Sequence, residues 1–156
     1  MILQKLFDSI EKHEDELTKD LVKEFRKMEE TRHYRDIPED ILYKYVQEVL
    51  YNVHTKLVNW LAKHTQKDVL FAYYKELGKE RFEKGIPLQE VVMVLMIIKR
   101  KLWVHVNEHN LLDSGYGLNQ LIEMSYFVNL FFDRIIHSTI VGYENEQLKL
   151  SKEKRV

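Results

Sequence analysis

Residues that interrupt helices are scarce in this chain: 156 residues contain two prolines and five glycines. Proline and glycine are the strongest local breakers of regular structure. With so few of them, many short strands joined by tight turns are disfavoured, and long helices are favoured. The remaining punctuation separates five segments whose apolar residues recur at helical spacing. The first runs from about Leu3 to Glu30 through Leu3, Leu6, Phe7, Ile10, Leu17, Leu21, Val22, Phe25 and Met28. A polar stretch from Glu11 to Glu16 interrupts its stripe, so it is either two helices or one long helix that is partly exposed. The second begins near Pro38, with Glu39 and Asp40 complementing the helix dipole, and ends near His64. Its stripe is Leu42, Val46, Val49, Leu50, Val53, Leu57, Trp60 and Leu61.

The third segment spans about Lys67 to Lys84, with Val69, Leu70, Tyr73, Leu77 and Phe82 on or near one face and Gly85 as its stop. The fourth opens at Pro87 and runs to about Asn110, with a loop around Asp113 to Gly117 behind it. Its centre is apolar on every side, which predicts a helix covered all round at the middle of the bundle. The fifth runs from about Leu118 to at least Gln147. Val128, Phe131, Phe132, Ile135, Ile136, Thr139 and Tyr143 form one stripe, and Phe127 and Leu130 add a second edge. An arc this wide exceeds what one core contact needs. Either the helix is deeply buried within one subunit or it also packs against a second copy. We read it as a homodimer contact, with Phe127, Leu130, Phe131, Arg134 and Ile135 as interface candidates. The polar stretch 144–156 reads as an exposed helix end or linker. The expected fold is thus all-α, a single domain of about five to six helices with a long C-terminal helix.

Composition narrows the function. Apolar residues make up 45% and charged residues 31%, as in a globular protein with a sizeable core. The net charge is −1 with both signs interspersed, so no basic footprint for nucleic acid is present. Absence of cysteine removes disulfides, thiolate catalysis and cysteine-ligated zinc or iron–sulfur sites, and is compatible with a reducing cytoplasm. The N-terminus lacks the pattern of a signal peptide. The most apolar run, Val91 to Ile98, falls far short of the ~20 residues a bilayer crossing needs. A cytoplasmic, non-membrane protein is expected.

The sharpest chemical motif is His105-Val106-Asn107-Glu108-His109, which fits the inverted zinc-protease pattern H-x-x-E-H. Two histidines one turn apart can share a metal, and the glutamate could serve as base. Catalytic zinc also needs a third protein ligand and a cleft; the sequence identifies neither, and Glu108 and His109 are expected to face solvent at the helix end. His54 lies beside the second stripe, between Leu50, Leu57 and Val58, and His105 follows Ile98 and Leu102 inward. With Trp103 these two are the pocket candidates. An inward imidazole can ligate haem or sense pH, and more commonly it is a hydrogen-bonded residue at the core edge. His13, His33 and His137 sit among polar residues and are read as solvated. No paired Glu-x-x-His, nucleophile elbow, Walker loop or dinucleotide motif is found. No cofactor and no enzymatic activity are assigned.

The run Gly78-Lys79-Glu80-Arg81-Phe82-Glu83-Lys84-Gly85-Ile86-Pro87-Leu88-Gln89-Glu90-Val91-Val92, with Leu95, Arg100, Leu102 and Trp103, carries the most information. Gly85 stops one helix, Ile86 can staple the next, Pro87 starts it, and Glu90 falls in its first turn. This corner resembles the N-terminal domain of the RsbR/RsbRD stressosome co-antagonist proteins, a domain type also found ahead of some bacterial histidine kinases. The resemblance is specific over about 78–103 and loose elsewhere. It implies a globin-like helical fold without haem, dimeric, serving as the input module of a signalling protein whose last helix leads into an output domain. This chain stops at Val156, so it is either an excised module or a stand-alone protein built on the same fold. The expectation is a non-catalytic regulatory domain that responds to an unidentified small molecule or partner protein and passes the stimulus along its last helix. A haem-binding sensor and a zinc hydrolase are the rival readings.

Overall fold

The structure, a computed structural model, describes the backbone of residues 2–62, 67–111 and 117–154, and the side chains of these except 58–62 and 67–68. The side chains of Trp60 and Leu61 of the second stripe, the end near His64 and most of the loop at 113–117 lie outside what the structure describes. Six α-helices and one 3-10 segment account for the described chain, and no strand occurs among the described residues. They are α1 (Ile2–Lys12), α2 (Glu14–Lys27), a 3-10 segment (Glu29–Asp36), α3 (Glu39–Ala62), α4 (Lys67–Glu83), α5 (Leu88–Glu108) and α6 (Leu118–Glu153).

The first predicted segment resolves into two helices. The polar interruption is where the backbone leaves the helical path at His13, with φ −109° and ψ 18°. The expected stripe is buried on both sides of that break, from Leu3 to Ile10 and from Leu17 to Phe25. Apolar periodicity gives no sign of the 3-10 segment after α2. It forms because buried Thr31 donates to the Phe25 carbonyl at 2.7 Å, closing the open end of α2. Arg35 donates to the carbonyls of Arg26 and Met28, while Arg26 donates back to those of Arg35 and Ile37. Carbonyls left over at a helix end need such partners.

Two predicted faces are displaced. In α4 the inward side is Leu70, Tyr74, Gly78 and Arg81, while Val69 and Tyr73 are exposed. The reason is backbone contact with α6. A Cβ built on Gly78 would lie 2.0 Å from the Thr139 carbonyl oxygen, and one built on Gly142 would lie 1.9 Å from the Lys75 carbonyl oxygen. Each helix thus offers a glycine to the other's main chain, and this crossing decides which side of α4 turns inward. In α5, Val91, Val94, Leu95, Ile97, Ile98, Leu102 and Val106 are buried, but Met96, Arg100 and Val104 are exposed. The helix is therefore covered on most of its circumference and not all round, because α2, the 3-10 segment, α4 and α6 leave one stripe open. Among the described residues no helix is long and apolar enough to cross a membrane.

Candidate functional site

The corner between α4 and α5 is built as its sequence indicates. Gly85 has φ +75°, a left-handed conformation open to glycine. The Ile86 N–H donates to the Arg81 carbonyl at 3.1 Å and the Gly85 N–H to the Phe82 carbonyl at 2.9 Å, the paired bonds of a Schellman stop. Pro87 precedes α5, where its missing N–H costs nothing. Glu90 does more than complement the dipole. Its carboxylate is buried and accepts the His33 backbone N–H at 2.8 Å, with the His33 ring against its other oxygen. His33 is thereby bound to the corner while its side chain stays exposed, in keeping with its reading as a solvated residue. Arg81, also buried, lies 3.6 Å from the centre of the Tyr45 ring and pairs with Glu80 at 3.2 Å.

This corner grips the last helix. Tyr143 donates its hydroxyl proton to the Ile86 carbonyl at 2.7 Å, and its ring meets Phe82 edge-on at 5.3 Å. Burial raises the Tyr143 pKa, so the phenol keeps the proton that this bond requires. Gly142, one residue earlier, sits in the crossing with α4. From Glu144 to Glu153 the helix continues past this clasp with almost every residue exposed, as the charged tail predicted.

The interface candidates on α6 divide. Phe131 and Ile135 are buried in the chain's own core, as are Val128 and Phe132 on the same stripe, so they have no surface left for a partner. Their assignment to a subunit contact is corrected: the wide arc is largely taken up inside one chain. Phe127 and Leu130 remain half-buried and Arg134 exposed. The face left open lies nearer the start of α6. Leu118, Ile122 and Tyr126 are 71%, 58% and 61% exposed, and Leu121, Ser125, Asn129, Leu130 and Asp133 complete a shallow groove along them.

The three pocket candidates are not brought together. Trp103 packs at the edge of the core. His54 lies at the α2–α3 contact, its Nε2 3.6 Å from Glu14, beside the edge of Tyr51. His105 is buried near the end of α5, its Nε2 2.7 Å from the Ser9 hydroxyl. Burial, with the neighbouring His109, His13 and Lys101, pushes its pKa down to about 4, so the ring is neutral at pH 7. A small cavity between α2, the 3-10 segment, α3, α4 and α5 has a volume of about 20 Å³, room for about one water, and none of the three candidates lines it. His109 is half-buried against His105, and His13, expected in solvent, is half-buried against both; His137 and Glu108 are exposed as expected. The approach of His13 has no signal in local periodicity, since it depends on where the α1–α2 break meets α5.

Comparison with known proteins gives no match among curated proteins and none among solved structures. A family model, described as the RsbT co-antagonist protein rsbRD N-terminal domain, matches residues 15–155. That span reaches from the start of α2 to the end of α6 and includes the whole Gly85–Glu90 corner with its Tyr143 clasp; the chain belongs to the RsbT co-antagonist rsbRD N-terminal domain family.

Proposed function

We propose that this chain is a non-catalytic regulatory input domain that pairs with a second copy through the exposed start of α6 and passes a stimulus along that helix to an output domain or partner protein. The observation that carries this reading is the clasp on α6. The helix is fixed to the α4–α5 corner by Tyr143 and to α4 by reciprocal glycine contacts, yet it runs ten residues beyond them in the open. A shift of the corner would therefore have to move the free end. Such a relay requires two packings separated by a few kcal/mol, and an effector that favours one of them.

Dimerisation is supported by the solvent-facing Leu118, Ile122 and Tyr126, a side chain set more typical of an interface than of open surface. Sedimentation velocity over a concentration series tests it. The wild-type chain is expected to form dimers, and the double variant Ile122→Asp, Tyr126→Asp to remain monomeric with unchanged helicity and melting temperature. A wild-type chain that stays monomeric at the highest concentration would refute the pairing.

A further inference from the structure

Three histidines far apart in the chain converge at one end of the bundle. His105 and His109 occupy the last turn of α5 and its cap, their ring centres 4.1 Å apart. α5 stops there because Asn110 takes a left-handed φ of 52°, and Leu111 donates back to the Val106 carbonyl at 3.2 Å. His13, at the break between α1 and α2, brings its ring to 4.3 Å from His109 and 5.2 Å from His105. One ligand nitrogen from each ring lies within 4.8 Å of the other two.

The hydrogen bonds decide which nitrogens are free. His13 Nδ1 faces the Ser9 carbonyl at 2.9 Å, and His109 Nδ1 faces the His105 carbonyl at 3.2 Å. A carbonyl can only accept, so both Nδ1 atoms carry a proton, and in the neutral form of each ring the lone pair is on Nε2. A metal-ligating histidine is held in this way, with its second nitrogen given to a backbone carbonyl. His105 Nε2 faces the Ser9 hydroxyl, which can accept its proton and leave Nδ1 as the third lone pair. Ser9 thus orients two of the rings, His13 through its carbonyl and His105 through its side chain.

We propose that His13, His105 and His109 form a three-imidazole binding site for a divalent transition-metal ion, Zn²⁺ foremost, which fastens the α1–α2 break to the end of α5. Imidazole sets of this kind suit Zn²⁺, Co²⁺, Ni²⁺ and Cu²⁺, and not the oxygen-seeking Mg²⁺ or Ca²⁺. Zinc–nitrogen bonds of about 2.1 Å at tetrahedral angles place the nitrogens about 3.4 Å apart, so the three rings must draw closer to hold the ion. His105 is buried and the other two are half-buried, which leaves one side of the ion open to water. The site differs from the protease reading of H-x-x-E-H: the third ligand comes from another helix break, and Glu108 stands exposed outside the group.

The test uses the untagged chain, stripped with chelator and titrated with Zn²⁺ against a competing chromophoric chelator. One ion per chain is expected, with a melting temperature raised by several degrees. His13→Ala and His109→Ala should each weaken binding by about a hundredfold or more, and Ser9→Ala by about tenfold, the range for an outer-shell partner. His137→Ala should bind as the wild type does. Co²⁺ in place of Zn²⁺ should give visible absorption of tetrahedral character that is lost in His13→Ala. Absence of stoichiometric Zn²⁺ binding by the wild type, or an unchanged affinity in a folded His13→Ala chain, overturns the proposal.

Discussion

Tyr34 is buried between α2 and the core, 6.4 Å from the Phe25 ring, and desolvation pushes its pKa up to about 12 even though the Arg81 charge opposes the shift. Tyr74, wholly buried and hydrogen-bonded by Asn52 at 3.1 Å, is raised for the same reason. The sign of the linkage is definite. An exposed tyrosine in the unfolded chain loses its proton near pH 10, while the native phenols keep theirs. Between pH 10 and about 12 the native state therefore binds more protons, and stability falls as pH rises. Denaturant titrations at pH 9 and pH 11 should show a loss of about 1.3 kcal/mol attributable to Tyr34. Tyr34→Phe should lose correspondingly less over the same interval. Tyrosinate absorbance appearing together with loss of helicity, and not before it, is the accompanying optical signature.

At the scale of elements, what could be read from the sequence was set by chemistry that acts locally. The Gly85–Ile86–Pro87 corner was legible because each residue has a strong intrinsic preference: left-handed φ, a buried apolar staple and a fixed φ at a helix start. The stripes of α1, α2, α3 and α6 were legible because apolar periodicity reports the buried side. The inward side of α4 was not. It is centred on a glycine and an arginine, neither of which registers as hydrophobic, and its direction is dictated by contact with α6. The 3-10 segment was hidden for a similar reason, since Thr31 and Arg35 act through hydrogen bonds to α2 and not through periodicity. The crossing carries its own prediction. Gly142→Ala places a methyl group where the Lys75 carbonyl oxygen would be 1.9 Å away, and the obstacle is main chain that cannot rotate aside. The variant should lose about 3 kcal/mol or more in chemical denaturation, at or beyond the upper end of overpacking costs. A loss below about 1 kcal/mol would show that the helices separate easily.

For the molecule as a whole, the fold class and the family were legible in the amino-acid sequence, and the candidate site only in part. Phe131 and Ile135 were placed on the outside because a wide apolar arc does not say which of its edges the same chain will cover. His13 was missed because its meeting with His105 and His109 exists only once α1, α2 and α5 are packed. The last ten residues of α6 make the reverse point: their charge and exposure were both evident from sequence. They cover none of the core, so a chain ending at Gln147 should unfold at the same denaturant concentration as the full chain, with an unchanged slope. A shifted midpoint would mean that the projecting turns are held by something in the body.

α6 is a single uninterrupted helix of 36 residues, about 54 Å from end to end. Its azimuth is locked at Gly142 and Tyr143, and each residue after that point turns the surface by about 100°. Anything joined to its end would therefore face a direction set by residue count. Inserting one residue after Glu153 would swing such a cargo about a quarter-turn or more, while inserting seven would return it to within about 20° of its original bearing. In fusions to a reporter, output should vary with spacer length as a wave of helical period and not as a steady decline.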